Sequence, residues 1–132
     1  MCRYNQANRQ MTTQYKNVLN PEIWQHNAQA EIMAVIKKES QITYHALATA
    51  AQMTGPHKIH RLTLWLEEMM AEDHKSGRPF RAAVVISKAR DGLPAPGFFQ
   101  KAGQLGLKFK TVDRAQQYKA YLQNVYANNW SI

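Results

Sequence analysis

The feature that most constrains this chain is where its helix breakers fall. Its five prolines, Pro21, Pro56, Pro79, Pro94 and Pro96, all lie at the edges of apolar periodic runs. Proline lacks an amide donor and fixes φ at about −65°, so it opens helices but is excluded from their interiors. The breaks at Asn20-Pro21, Thr54-Gly55-Pro56, Ser76-Gly77-Arg78-Pro79 and Leu93-Pro94-Ala95-Pro96-Gly97 therefore cut the chain into segments. Each segment must find its own structure, and each is short enough to be read from its periodicity.

Residues 1–19 are polar and rich in Asn and Gln, with scattered Tyr4, Met11, Tyr15, Val18 and Leu19. They are expected to form a loosely attached arm. Asn20-Pro21-Glu22 then supplies a capping side chain, a proline at the first helical position and an acid in the first turn. Residues 21–39 are predicted helical, with Ile23, Ala30, Ile32, Met33 and Ile36 on a buried stripe and Lys37 and Lys38 at the negative end of the dipole. Gln41-Ile42-Thr43 suits a short strand, and Thr43 can cap a helix from Tyr44 to about Met53. Residues 57–73 place Ile59, Leu62, Trp65, Leu66, Met69 and Met70 at helical spacing. Phe80 to Lys88 has the β-branched content of a mostly buried strand, followed by an Asp91-Gly92 turn. The prolines beyond that turn limit a returning strand to a short edge piece. Phe98-Phe99 opens a brief helix ending near Gly103–Gly106, and a last helix over 112–129 carries Tyr118, Tyr121, Leu122, Val125 and Tyr126 on one face, with Trp130 beyond it.

This order predicts an α+β, mainly helical fold: a winged helix-turn-helix core with a small β-hairpin wing around Lys88–Gly92 and extra C-terminal helices. No repeat or linker divides residues 20–132, which are expected to form one winged-helix-like domain behind the 1–19 arm.

Composition narrows the function classes. Apolar residues make up 45% and charged residues 20%, the balance of a globular chain. No apolar run approaches the roughly 20 residues of a membrane-spanning helix, and the opening Met1-Cys2-Arg3-Tyr4-Asn5-Gln6 has no signal-peptide character. The single thiol, Cys2, forms no internal disulfide, so a cytoplasmic location is expected. Five histidines without further cysteines do not spell a structural zinc site. No cofactor, no metal and no enzymatic activity are expected. Lys and Arg number 17 against 9 Asp and Glu, a formal charge of +8 that favours polyanionic partners. Residues 79–110 alone hold Arg81, Lys88, Arg90, Lys101, Lys108 and Lys110 against Asp91.

The segment Ile42-Thr43-Tyr44-His45-Ala46-Leu47-Ala48 resembles the I/V-T-Y-G-x-L-A run that leads into the helix-turn-helix of alkylguanine-DNA alkyltransferases and the alkyltransferase-like proteins. The resemblance covers residues 42–75. It implies a strand leading into a helix, then a recognition helix that binds DNA, with Tyr44 as a contact. The family's Pro-Cys-His-Arg motif is absent; Val84-Val85-Ile86-Ser87-Lys88 stands where its strand would lie, and the sole cysteine is at position 2. Alkyl transfer to cysteine is excluded on that ground. The stretch from Gly77 to Phe99 is also similar to small bacterial proteins, a likeness that supplies no function.

Two basic groups are candidates for contact. His57, Lys58, His60 and Arg61 open the 57–73 helix and are expected to point outward together while Ile59 and Leu62 turn inward. Early residues of the second helix face the groove in helix-turn-helix proteins. Arginine reads guanine edges, while lysine and histidine meet phosphates. Cations also sit badly at a helix N-terminus, which calls for a reason. Lys88 and Arg90 would project from the wing tip toward a phosphate backbone. The plainer readings are a solvated helix start and an edge kept soluble by charge. His57 and His60 with His45 or Glu67 make only a weak metal pattern, and Glu67-Glu68 and Glu72-Asp73 read as a solvated face rather than a nuclease centre.

The expectation is thus a non-catalytic nucleic-acid-binding or regulatory protein, with double-stranded DNA as the partner. The alternative is a protein–protein module that dimerises or binds an acidic partner through the aromatic C-terminal helix.

Overall fold

The computed structural model describes residues 21–130, with the side chains of Pro21 and Glu22 excepted. The expected arm over 1–19, the thiol of Cys2 and the capping Asn20 lie outside the described residues. Among the described residues five α-helices run in the order α1 Pro21–Lys37, α2 Tyr44–Ala50, α3 Lys58–Lys75, α4 Pro96–Gln104 and α5 Arg114–Ala127. Two short strands, β1 Ile42–Thr43 and β2 Val85–Ile86, complete an α+β, mainly helical fold.

Local chemistry accounts for most of these boundaries. The Thr43 side chain accepts a hydrogen bond from the Ala46 amide at 3.1 Å and so caps α2, as its position in the sequence predicts. At the end of α3 the chain turns through Gly77, whose φ of +74° is open to glycine without steric cost. The Gly77 amide bonds the His74 carbonyl at 3.1 Å and the Arg78 amide bonds the Asp73 carbonyl at 2.9 Å. This pair of bonds satisfies two carbonyls that a helix end leaves open. Pro96 opens α4.

The segment expected as a long buried strand, Phe80 to Lys88, is buried but only two of its residues form strand. Arg81–Val84 form a 3-10 turn instead. The reason is that side chains, not neighbouring strands, satisfy its backbone. The Phe80 amide donates to the Tyr121 hydroxyl at 2.7 Å, the Arg81 amide to Asp73 Oδ2 at 2.9 Å, and the Tyr118 hydroxyl donates to the Ala83 carbonyl at 2.5 Å. This turn occupies the centre of the molecule, packed against α1, α3 and α5. Val84 and Val85 are fully buried there, each contributing about 1.5–3 kcal/mol of burial.

β1 and β2 pair in parallel, with Ile42 opposite Val85 and Thr43 opposite Ile86. A parallel pair requires a crossover, here supplied by α2 and α3. The hairpin wing expected around Lys88–Gly92 is not formed. Lys88–Arg90 make a 3-10 turn closed by Ser87 N to Leu93 O at 2.9 Å, and the chain proceeds through Pro94 into α4 without a returning strand. Proline's missing donor removes the ladder bond such a strand would need.

The face of α1 also differs from expectation. Trp24, Ala28, Ile32, Val35 and Ile36 face the core, while Ile23 is 51% exposed and Ala30 is exposed. Trp24 sets that rotation by meeting Trp65 edge-on at 5.5 Å. A second aromatic cluster joins Phe80, Phe98, Phe99, Phe109, Tyr118 and Tyr121, with ring centroids 5.3–6.4 Å apart.

Beneath the Phe80 turn lies a buried ionic knot. Asp73 is fully buried and Arg81 is 2% exposed. Arg81 Nε and Nη2 reach the Asp73 carboxylate at 3.0 and 2.8 Å, and Arg78 Nε and Nη2 both reach it at 3.0 Å. The expected solvated acid face therefore holds for Glu72, which is exposed, and fails for Asp73. Arg81 is likewise removed from the surface basic set.

Candidate nucleic-acid interface

An open groove is lined by Thr43, Tyr44, His45, Ala46, Ile59, Ser87 and Lys88. Three separate elements build it: the β1–α2 junction, the first turn of α3 and the turn after β2. The parallel β1–β2 pair brings the first and third together, since Thr43 and Ile86 are register partners. Two of the expected contact residues, Tyr44 and Lys88, line the groove directly. No acid is among the lining residues.

His57, Lys58 and His60 are exposed on the turn of α3 that carries Ile59. His57 occupies the N-cap with φ +58° and ψ +38°, a left-handed conformation, and its side chain makes no capping bond. His57 therefore offers the first amides of α3 no side-chain partner. Arg61 differs from its three neighbours. It is half-buried, and its guanidinium bends back to donate to the Thr54 carbonyl and, at 3.2 Å through Nε, to the Pro56 carbonyl. It shapes the turn between α2 and α3 instead of projecting with Lys58. Ile59, expected to face inward, is 39% exposed and forms part of the groove wall. Leu62 takes the inward position and is fully buried.

Lys88 is exposed beside Ser87, whereas Arg90 is half-buried with its Nε buried and without a hydrogen-bond partner. The 3-10 turn, closed by Arg90 N to Ser87 O at 3.1 Å, replaces the hairpin tip from which Arg90 was expected to extend. Its charge is felt at Tyr44. Burial raises the Tyr44 hydroxyl above its ordinary pKa; the Ala95 amide, donating at 3.1 Å, works against this, Glu67 adds to it and Arg90 opposes it. Tyr44 is thus half-buried and tethered to the start of α4, with one flank toward the groove and the other toward Thr63, Leu66, Glu67 and Phe98.

Thr43, His45, Ala46, Ile59 and Ser87 were not foreseen as groove residues. His45 and Thr43 lie within the run that drew attention to Tyr44, so their adjacency was a usable signal. Ser87 becomes a neighbour only through the parallel strand register.

The C-terminal aromatics are largely committed inside the chain. Tyr118 is buried and receives the Gln41 amide at 2.9 Å, Tyr126 donates to the Ser40 carbonyl at 2.7 Å, and Trp130 Nε1 donates to the Val125 carbonyl at 2.8 Å. Among the described residues no group of three or more His, Cys, Asp or Glu is placed to hold a metal ion, and no helix is long and apolar enough to cross a membrane. No family model, curated protein or solved structure matches the chain.

Proposed function

We propose that the domain binds double-stranded DNA without chemistry of its own, with α2, the following turn and α3 acting as a helix-turn-helix. In this reading the first turn of α3 leads into the duplex, Lys58 and His60 meet phosphates, and Lys88 grips the backbone from the turn that stands where a wing would be. The observation that carries it is the convergence of Lys88 with the α2 and α3 N-terminal turns around a groove free of acids. The absence of a capping bond from His57 and the adjacent exposed Lys58 and His60 add to it, since helix-start amides and basic side chains are suited to phosphate oxygens. Arg61 and Arg90 act indirectly, Arg61 by fixing the turn and Arg90 from behind Tyr44.

Fluorescence anisotropy of labelled duplex over a salt series tests the reading. Binding through several phosphates gives a log–log slope of several units, each phosphate adding about 0.9. Lys58→Gln with Lys88→Gln is expected to lower that slope by about 2 while leaving the melting temperature unchanged. Affinity weaker than about 10⁻⁴ M at moderate salt would remove the proposal, because it falls below ordinary non-specific binding.

A further inference from the structure

A second concentration of unpaired positive charge lies at the far end of α4. From Gly92 onward the chain carries Lys101, Lys108, Lys110, Arg114 and Lys119 against a single acid, Asp113. The ion pairs among the described residues all belong to the knot of Arg78, Arg81, Glu72 and Asp73, and none of these four lysines is paired with an acid among the described residues. Lys108, Lys110 and Lys119 are exposed. Like charges held close raise the energy of the free protein, a cost that a polyanionic partner would relieve.

The segment that presents Lys108 and Lys110 is firmly held. Phe109 between them is buried, with its ring 5.3 Å from Phe99 and 5.5 Å from Tyr121. Its carbonyl accepts from Arg114 Nη2 at 3.0 Å, and the Arg114 guanidinium lies 4.6 Å above the Phe99 ring. The Lys110 amide donates to Gln117 Oε1 at 2.8 Å and the Leu107 amide to the Ala102 carbonyl at 2.8 Å. Burial of Phe109 therefore turns its two neighbours outward from a fixed backbone. Only lysine side-chain freedom remains to be lost on binding, which keeps the ordering cost small.

We propose that residues 105–114 form a second phosphate-contacting surface, so that one duplex is held at both ends of α4. This rests on the DNA-binding reading of the groove. The two surfaces stand toward opposite ends of α3: Ile59 of the groove lies in its first turn, whereas Leu105, Gly106 and Leu107 line a hollow with His74 and Gly77 at its far end. From Ile59 to Lys75 the helix rises about 24 Å, about seven base pairs of duplex axis at about 3.4 Å each, within a single helical turn. Exposed Gln100, Gln104 and Thr111 add neutral donors of the kind that meet phosphates. An anionic lipid surface is the lesser fit. Val112, 74% exposed, is the only large apolar side chain projecting from this segment, and one valine buries too little to hold a bilayer surface.

The test compares the parent protein with Lys108→Gln/Lys110→Gln and with Lys58→Gln/Lys88→Gln in the duplex salt series, each checked by thermal melting. The loop pair is expected to lower the log–log slope by about 2, at about 0.9 per phosphate, with an unchanged melt. An unchanged slope in the loop pair beside a lowered slope in the groove pair overturns the second surface and leaves the groove reading intact. A lowered slope in the loop pair alone removes the groove and with it the proposal that one duplex is held at both ends of α4. A parent that does not bind duplex overturns both. Binding of the parent to phosphatidylserine vesicles, lost in the loop pair while the duplex slope stays unchanged, overturns the proposal in favour of lipid.

Discussion

Replacing Asp73 by Asn tests the ionic knot directly. The substitution keeps the shape and one carbonyl oxygen but removes the charge that compensates Arg81, which is 2% exposed. In the parent, the carboxylate accepts from Arg81 N, Nε and Nη2 and from Arg78 Nε and Nη2, all at 2.8–3.1 Å. Glu72, 3.7 Å from Arg81 Nη2, has a 69% exposed side chain and offers little substitute. Breaking a buried pair on one side costs about 3–5 kcal/mol. A domain of this size is held by about 5–15 kcal/mol in total, and that loss corresponds to a fall of roughly 10–20 °C in Tm. Circular dichroism melting and urea unfolding measure it, with an unchanged urea slope showing that the unfolded reference is the same. Replacing both partners, Asp73→Leu with Arg81→Met, should restore only part of the loss: an apolar pair leaves no buried charge, but the Arg81 amide still loses its Asp73 acceptor. Arg78, with a 28% exposed side chain, can turn to water in that variant. An Asp73→Asn protein that melts within about 3 °C of the parent would refute the reasoning, since that shift is below about 1 kcal/mol.

Alkaline pH should unfold the protein through its tyrosines. Burial raises the Tyr118 hydroxyl well above its ordinary value and pushes Tyr121 up to about 12. Both are neutral in either state below about pH 10; above it the unfolded chain ionises first, so stability falls as pH climbs through about 10 to 12. Tyr118→Phe and Tyr121→Phe should flatten that fall in urea titrations, and a fall of equal steepness in both variants counts against it. Gly77→Ala should lower stability by about 1–2 kcal/mol by forcing a Cβ into the left-handed region, although open space surrounds that position; a melt equal to the parent would exclude backbone strain. Arg61→Ala should cost about 1–2 kcal/mol through its two lost carbonyl partners, whereas His60→Gln should leave Tm unchanged. Equal melts for these two variants would return Arg61 to the freely projecting set.

Helix positions were legible because they depend on neighbours in sequence: Pro21 at the first turn of α1, Thr43 as a cap, Gly77 past the end of α3. The Phe80–Lys88 region misled because its residues favour a strand while its backbone partners, Asp73, Tyr118 and Tyr121, arrive from two other helices. Asp73 and Arg81 are separated by the Gly77–Pro79 break, and no periodicity links an acid on a helix with a base beyond it. For the site, the exposure of Lys58, His60 and Lys88 is what polar side chains outside the apolar stripe favour. The inward turns of Arg61 and Arg90 do not, because they depend on loop carbonyls and a 3-10 turn that sequence spacing does not encode.

The narrowness of the β1–β2 pair has a consequence for how the groove opens and closes. Residues 42–43 and 85–86 meet only after α2 and α3 have brought distant stretches of chain together, so their closure carries the loop entropy of the whole crossover. Val85 is fully buried, so the amides this pair holds are expected to exchange with solvent only at free energies near that of global unfolding. Thr43 and Ser87 stand on or beside those strands and also line the groove. Its two walls are therefore latched by the same few amides, and a ligand spanning both walls would slow their deuterium exchange together.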